Sequence, residues 1–349
     1  MERGTKSALK IIFGILTFAA GIYLAIVFFD LLVMLAISIL IAMIFNPLIS
    51  ILEQQGMRRN IAVLIVLGLA AFLIVLGISV FVPTIVTQMN ALTSNISQEK
   101  ISNVLGQIQS SLGEYIPFLD TTDFAAKLSE FFSSLFFSSI DNISHIVSQI
   151  VSILAIAVIV PFMTYFLLKD NKRIIKGLIN IMPNRYFEMS YSVIHEISIQ
   201  LGRFVRGWIF DAFVVGALSA IGLSILGIKN SVTIGFVAGI GHLIPYFGPI
   251  VGGLPAIIIS IVQFGNLSML PSIIIMFLAV YTIDNGFIQP NVFSKSVDLH
   301  PLAIIILIIV GSQVMGVFGM LLAVPVATVI RTAAKEIYLG YKKYKIIKA

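Results

Sequence analysis

The sequence predicts an all-α, polytopic membrane protein, and three observations carry that prediction. Of 349 residues, 11% are charged and 58% hydrophobic, where a soluble domain has roughly 25% charged residues. Mean hydropathy is +1.05. Uncharged runs such as 11–29 and 61–82 are each long enough to cross a hydrocarbon core of about 30 Å as a helix. Finally, the charges that remain change sign from loop to loop.

Arg3, Lys6 and Lys10 precede an apolar run that continues almost unbroken to Leu52. That length predicts an uncleaved signal anchor rather than a cleaved signal peptide, with membrane helices near 8–29 and 31–52. A third helix is expected at 61–87. The region 88–145 holds two basic residues, Lys100 and Lys127, against six acidic ones. A fourth helix is expected at 146–168. The segment 169–206 holds seven basic residues against three acidic, and the tail from Arg331 holds six against one. The positive-inside rule then puts both termini, 53–60 and 169–206 in the cytoplasm and 88–145 outside. The net charge of +6 follows this topology and calls for no nucleic-acid partner. The chain has no cysteine, so disulfides and thiolate metal ligands are excluded.

Two segments outside the membrane have readable structure. From Thr122, the apolar residues Phe124, Leu128, Phe131, Phe132, Leu135 and Phe136 recur at helical spacing. They predict an amphipathic helix that lies on the outer membrane face, in a subunit contact, or against the protein's own membrane helices. In the cytoplasmic linker, Pro183–Asn184 marks a turn, followed by a helix that carries a solvated His195 and leads into a membrane helix at 208–228.

The second half contains two apolar segments broken by helix-interrupting residues. The first, 231–264, is 34 residues long and contains HLIPYFGPIVGGLPA, His242 to Ala256. A straight helix of that length would span about 51 Å, whereas two arms of about 17 residues would each span about 25 Å. Length therefore favours a helical hairpin over one tilted span. The second, 301–330, is interrupted at Gly311-Ser312-Gln313, Gly316 and Gly319. With 269–289 running between them, the hairpins enter from opposite sides. Loop charges do not choose between hairpins and single crossings. Broken backbone at membrane depth is tolerated inside protein or along a polar cavity, and opposed hairpins are a feature of inverted-repeat transporters.

Five units are expected: 1–87, N-terminal membrane helices; 88–145, the external region; 146–206, a membrane helix and linker; 207–335, a transport core; and 336–349, a basic tail.

Formal charges between Gly207 and Ser294 are confined to Asp211, Lys229 and Asp284. Asp211 is expected at the cytoplasmic interface, paired with Arg203 or Arg206. Asp284 lies within a membrane helix, where carboxylates are costly and usually functional, and is the expected ion-coupling residue. Expected solute contacts are His242, Tyr246, Asn285, Ser312 and Gln313. Gly248, Gly252, Gly253, Gly316 and Gly319, with Gly311, are expected to allow close backbone approach and to expose half-helix N–H groups.

No enzyme signature is present. Asp211 and Asp284 lack the Gly-x-Gly-Asp context of intramembrane aspartyl proteases, and there is no phosphate loop, His-x-x-x-His pair or suitable Ser/His set. No cofactor and no metal site are expected. A purely structural membrane protein is disfavoured by the two broken segments.

IPYFGPIVGGLPA, DNGFIQPNVFSKSVDLHP (284–301) and GVFGMLLAVPVA (316–327) resemble the motifs of the autoinducer-2 exporter family of bacterial membrane proteins. GRFVRGW before a long apolar helix is similar to that family's lead-in, and the likeness runs from about residue 8 to 335. The resemblance implies about eight membrane segments including two hairpins, a homo-oligomer (a pentamer) and elevator-type movement. The resemblance does not settle the cargo; a small polar solute such as autoinducer-2 is the expected one. Some members export the quorum-sensing signal autoinducer-2, and others are assigned sodium(lithium)/proton antiport.

Overall fold

The computed structural model describes residues 28–95, 143–266, 268–293 and 299–344, with scattered positions between 13 and 27. The described elements are all helical. Among the described residues, five helices are long and apolar enough to cross a membrane, and three shorter apolar helices accompany them. Large apolar side chains stay exposed along the outer faces, Phe72 at 61%, Phe213 at 71% and Phe287 at 69%. That inversion of the soluble pattern is what a hydrocarbon solvent permits. The amphipathic helix expected from Thr122 lies outside the described residues, as do 10 of the 22 residues of the segment 8–29.

Three of the described helices pack together on the N-terminal side: α1 (Phe29–Gln54), α2 (Arg59–Asn95) and α3 (Ile143–Lys169). They meet over Ile49, Ala62, Val63, Val66 and Leu168. Without water or a hydrophobic driving force between helices, polar contacts hold such bundles. The Ser38 hydroxyl of α1 sits 3.2 Å from the Val160 carbonyl of α3. Arg59 donates to the Leu168 carbonyl at 2.8 Å, to Glu53 at 2.8 Å and to Asn46 at 3.2 Å, so one guanidinium ties α1, α2 and the C-terminal end of α3 together.

A short helix α4 (Asn171–Asn180) and a 3₁₀ turn after Pro183 lead into α5 (Phe187–Ile225). The linker helix and the membrane helix expected at 208–228 are thus one continuous helix of 39 residues. No proline lies between Phe187 and Ile225 to stop it. Leu201, Phe204, Val205 and Trp208 of α5 pack with Leu40 of α1 and with Leu322 and Val324 near the chain's end.

The segment 231–264 is a hairpin. Helix α6 (Ser231–His242) ends at a tight tip, 243–247, and α7 (Gly248–Phe264) runs back beside it. The side chain of Gln263, near the end of α7, accepts from the Lys229 backbone N–H at 2.8 Å and donates to the Gly227 carbonyl at 2.8 Å. The start and finish of the segment are therefore pinned together. At the tip, Tyr246 has φ of 72°, a left-handed conformation that a bulky residue adopts at a cost and that clusters at functional sites.

Helix α8 (Leu270–Ile283) passes through a π-helical stretch, Asp284–Ile288, into α9 (Gln289–Phe293). Proline at 290 cannot donate to an i−4 carbonyl, and the wider turn just before it accommodates the loss. The last element, α10 (Pro301–Tyr344), folds back at Gly316, whose φ of 57° and ψ of −136° are non-helical. Gly311 and Gly319 would stand about 12 Å apart in a straight helix. Here a Cβ on either would overlap the other's carbonyl. Glycine at these positions makes the second hairpin, and the backbone N–H of Leu302 donating to His300 Nδ1 at 3.2 Å caps its start.

The chain has no cysteine, so single cysteines report sidedness without background. We expect Lys229→Cys and Asn266→Cys to react with a membrane-impermeant thiol reagent from one face, and His300→Cys and Lys335→Cys from the opposite face. Labelling of Lys229→Cys and Asn266→Cys from different faces would mean that 231–264 crosses once.

Candidate functional site

The site is assembled by small residues. Gly235 and Gly239 of α6 face Ala212, Gly216 and Ala220 of α5, two complementary runs spaced every fourth residue. A Cβ on Gly216 would lie 2.9 Å from the Gly235 carbonyl, and one on Gly239 would lie 2.9 Å from the Ala212 carbonyl. Such close approach is the small-xxx-small packing of membrane helices. Continuing the same face of α6 by three residues brings His242 over Asp211.

His242 Nε2 stands 3.3 Å from Asp211 Oδ2 and 3.4 Å from Asp284 Oδ2. The three residues are 3%, 5% and 2% exposed in the order Asp211, His242, Asp284. Their ligand-type atoms all lie within 4.8 Å of one another. Gln289 donates to Asp284 Oδ2 at 2.9 Å. The π-helical stretch makes that contact, because an α-helix would turn residues five apart about 140° away from each other. Asp211 Oδ1, Asp284 Oδ1, His242 Nδ1 and the indole Nε1 of Trp208 are buried without a hydrogen-bond partner.

A cavity of about 280 Å³ opens on this cluster, with Trp208, Asp211, His242, Tyr246 and Gln289 among its walls. Pro301, Ile304 and Val324 close it from the second hairpin. The first hairpin thus reaches the cavity by its tip and the second by its base.

The residues singled out in the sequence are distributed unevenly about this site. His242, Tyr246 and Asp284 are in it. Gly248 is the space for the imidazole, since a Cβ there would meet His242 Nδ1 at 2.7 Å. Gly252 packs onto Ala238, whereas a Cβ on Gly253 would meet Phe277 at an ordinary 3.8 Å. Asn285 donates back to the Tyr281 carbonyl of its own helix at 2.9 Å. Ser312, Gln313, Gly316 and Gly319 form the turn of the second hairpin and are not among the cavity's walls. Asp211 corrects an expectation. It is not paired with Arg203 or Arg206 at the interface but buried against His242, and the Arg206 guanidinium instead lies over Gly202. Gln289 and Trp208 were not expected in the site, although they lie within DNGFIQPNVFSKSVDLHP and GRFVRGW. For Asp211 a signal existed, because the small-residue runs at 212–220 and 235–239 align it with His242.

A polytopic helical bundle with a broken hairpin tip, buried ionisable groups and an intramembrane cavity defines a membrane transporter. The chain belongs to the AI-2E family: the profile described as AI-2E family transporter matches residues 12–339. It is similar to "Putative transport protein YueF" of Bacillus subtilis (strain 168), at 26% identity over 82% of this chain and 79% of the relative. It is also similar to "Putative permease PerM" of Escherichia coli (strain K12), at 26% identity over 91% of this chain and 88% of the relative.

Gly248→Ala is expected to displace the His242 ring and lower transport by roughly tenfold or more, the equivalent of about 1.4 kcal/mol. Gly252→Val should also cost about 1–3 kcal/mol of stability by overpacking against Ala238, and Gly253→Ala should leave both nearly unchanged. Transport rates and thermal melting of the purified variants check this. Equal damage from Gly252→Val and Gly253→Ala would contradict the assigned packing.

Proposed function

We propose that this protein exports a small polar solute, with autoinducer-2 the leading cargo, across the bacterial inner membrane with both termini in the cytoplasm. The observation that carries the reading is the cavity at the first hairpin tip. Its volume corresponds to about nine waters of liquid, which suits a compact hydroxylated molecule. The indole N–H of Trp208, the Gln289 amide and the Tyr246 hydroxyl are polar groups placed among apolar walls, the usual make-up of a small-molecule site. Gly316, Gly319, Ser312 and Gln313 belong to the part of the second hairpin that lets its backbone fold and move. Asn285, one residue past Asp284, meets the solute in this reading only by releasing its bond to the Tyr281 carbonyl.

An elevator-type movement of 207–335 against the N-terminal helices accounts for a cavity at one level of the membrane. Each part holds an apolar cluster of its own, one over Ile49 and Val63 and one over Leu223, Ile273 and Phe277, and the cluster that joins Leu40 to Trp208, Leu322 and Val324 is the contact such a movement has to break. In this reading the N-terminal helices and the segment 88–145 build a homo-oligomer, a pentamer by family resemblance, that anchors the moving units.

A second reading, sodium(lithium)/proton antiport, is favoured by one observation: two carboxylates buried in a membrane segment with no Lys or Arg among the cavity walls. A group that binds a coupling cation must carry charge there, and Asp284 fits that role.

Asp284→Asn separates the two. Purified protein in proteoliposomes is assayed for autoinducer-2 flux and for sodium-driven proton movement. The export reading predicts autoinducer-2 flux in the wild type and partial flux in Asp284→Asn, because the amide still hydrogen-bonds. The antiport reading predicts cation exchange in the wild type and its complete loss in the variant. Full gradient-driven activity of Asp284→Asn would remove this residue from coupling in either case.

A further inference from the structure

The arrangement of Asp211, His242 and Asp284 goes beyond solute recognition. We propose that these three side chains hold a divalent transition-metal ion of the zinc type, with Gln289 beside them and the cavity supplying the fourth ligand position.

Charge is the first argument. With a neutral imidazole the cluster carries two negative charges, and the cavity walls contribute no Lys or Arg. Buried charges are paired or coordinate metals, and a divalent cation balances this set in full. A protonated imidazole would balance half of it.

Distance is the second argument. Charge-assisted N–H···O⁻ bonds are about 2.7–2.9 Å long, but His242 Nε2 lies 3.3 Å from one carboxylate oxygen and 3.4 Å from the other. A single ring N–H also points at one acceptor, not two. Ligands about 2.0–2.1 Å from a tetrahedral ion stand about 3.3–3.4 Å apart, which matches both separations. Both His242–carboxylate separations therefore have the length of a coordination tetrahedron's edge, and the third ligand pair lies within the 4.8 Å that encloses the whole set.

Chemistry of the donors is the third argument. An imidazole nitrogen with two carboxylates suits zinc, iron, cobalt or nickel, whereas sodium, calcium and magnesium take oxygen ligands. Three protein ligands and an open position are the composition of non-structural zinc sites. Here the open position faces the cavity, so an oxygen of the carried solute or a water completes it. Gln289, which donates to Asp284 Oδ2 at 2.9 Å, is placed as the outer partner that fixes a metal-bound carboxylate. The partnerless Oδ1 atoms of both aspartates leave room for either carboxylate to rotate onto an ion.

Metal binding stands or falls apart from transport, so its test needs no flux. Full-length protein in detergent, freed of any affinity tag and washed with chelator, is titrated with Co²⁺ and Zn²⁺ by equilibrium dialysis and visible spectroscopy. We expect one ion per chain and the ligand-field bands of four-coordinate Co²⁺. His242→Gln, Asp211→Asn and Asp284→Asn are each expected to weaken binding by roughly hundredfold, at or beyond the about 10–100-fold that outer partners are worth. His195→Gln and His300→Gln should bind as wild type. Because a lone buried charge can destabilise the single variants, the isosteric Asp211→Asn/Asp284→Asn double variant provides the fold control. It should melt cooperatively and show no Zn²⁺-dependent rise in Tm, where the wild type shows one. Absence of binding in the wild type, or binding that survives in the double variant, overturns the metal site and leaves the solute reading standing.

Discussion

The close approach of α5 and α6 is the constraint on which the rest depends. Gly216, Gly235 and Gly239 let two membrane helices touch backbone to backbone, so that no side chain separates the faces that carry Asp211 and His242. Any larger residue at that crossing would move His242 away by the width of the intruding group. The hairpin's other close contacts serve the same end. Val251 fills the space over Gly241, Gly252 sits on Ala238, and Gly248 leaves room for the imidazole. The stretch is rich in glycine because each contact brings a backbone closer than a Cβ would allow.

Asp284 reaches the same point from a different helix by a different device. The π-helical turn at 284–288 rotates the chain so that Asp284 and Gln289 share a face, and π-bulges are frequent at functional sites. Three elements with unrelated local geometry thus converge on one cluster: a continuous helix, a broken tip and a π-turn. Buried polar groups in this position destabilise the protein unless something satisfies them. In the proposed readings, a solute or cation in the cavity is what satisfies them.

Much of the fold was legible because membrane proteins obey few and strong rules. Hydrocarbon thickness and apolar run length located α1, α2 and α3 to within a few residues at most described ends, and the length of 231–264 gave the first hairpin. The continuous α5 was missed because the basic linker looked like a boundary, while a helix without proline has no physical reason to stop there. Asp284 was legible as a costly intramembrane carboxylate. Asp211 was not, since nearby arginines offered it a local partner and its real partner lies 31 residues away. The π-turn has no reliable sequence signature beyond a following proline. The tip of the second hairpin was expected to face the site, but that hairpin meets the cavity by its base, because the chain enters at Pro301 from the cavity's own level.

A double-mutant cycle between Asp211→Asn and His242→Gln, read as the stability of the purified protein, tests the central claim most directly. Residues in one buried network should show a coupling energy of about 0.5–3 kcal/mol, whereas independent sites add within about 0.3–0.5 kcal/mol. Coupling in the first range is the result this account predicts, and simple additivity would contradict it.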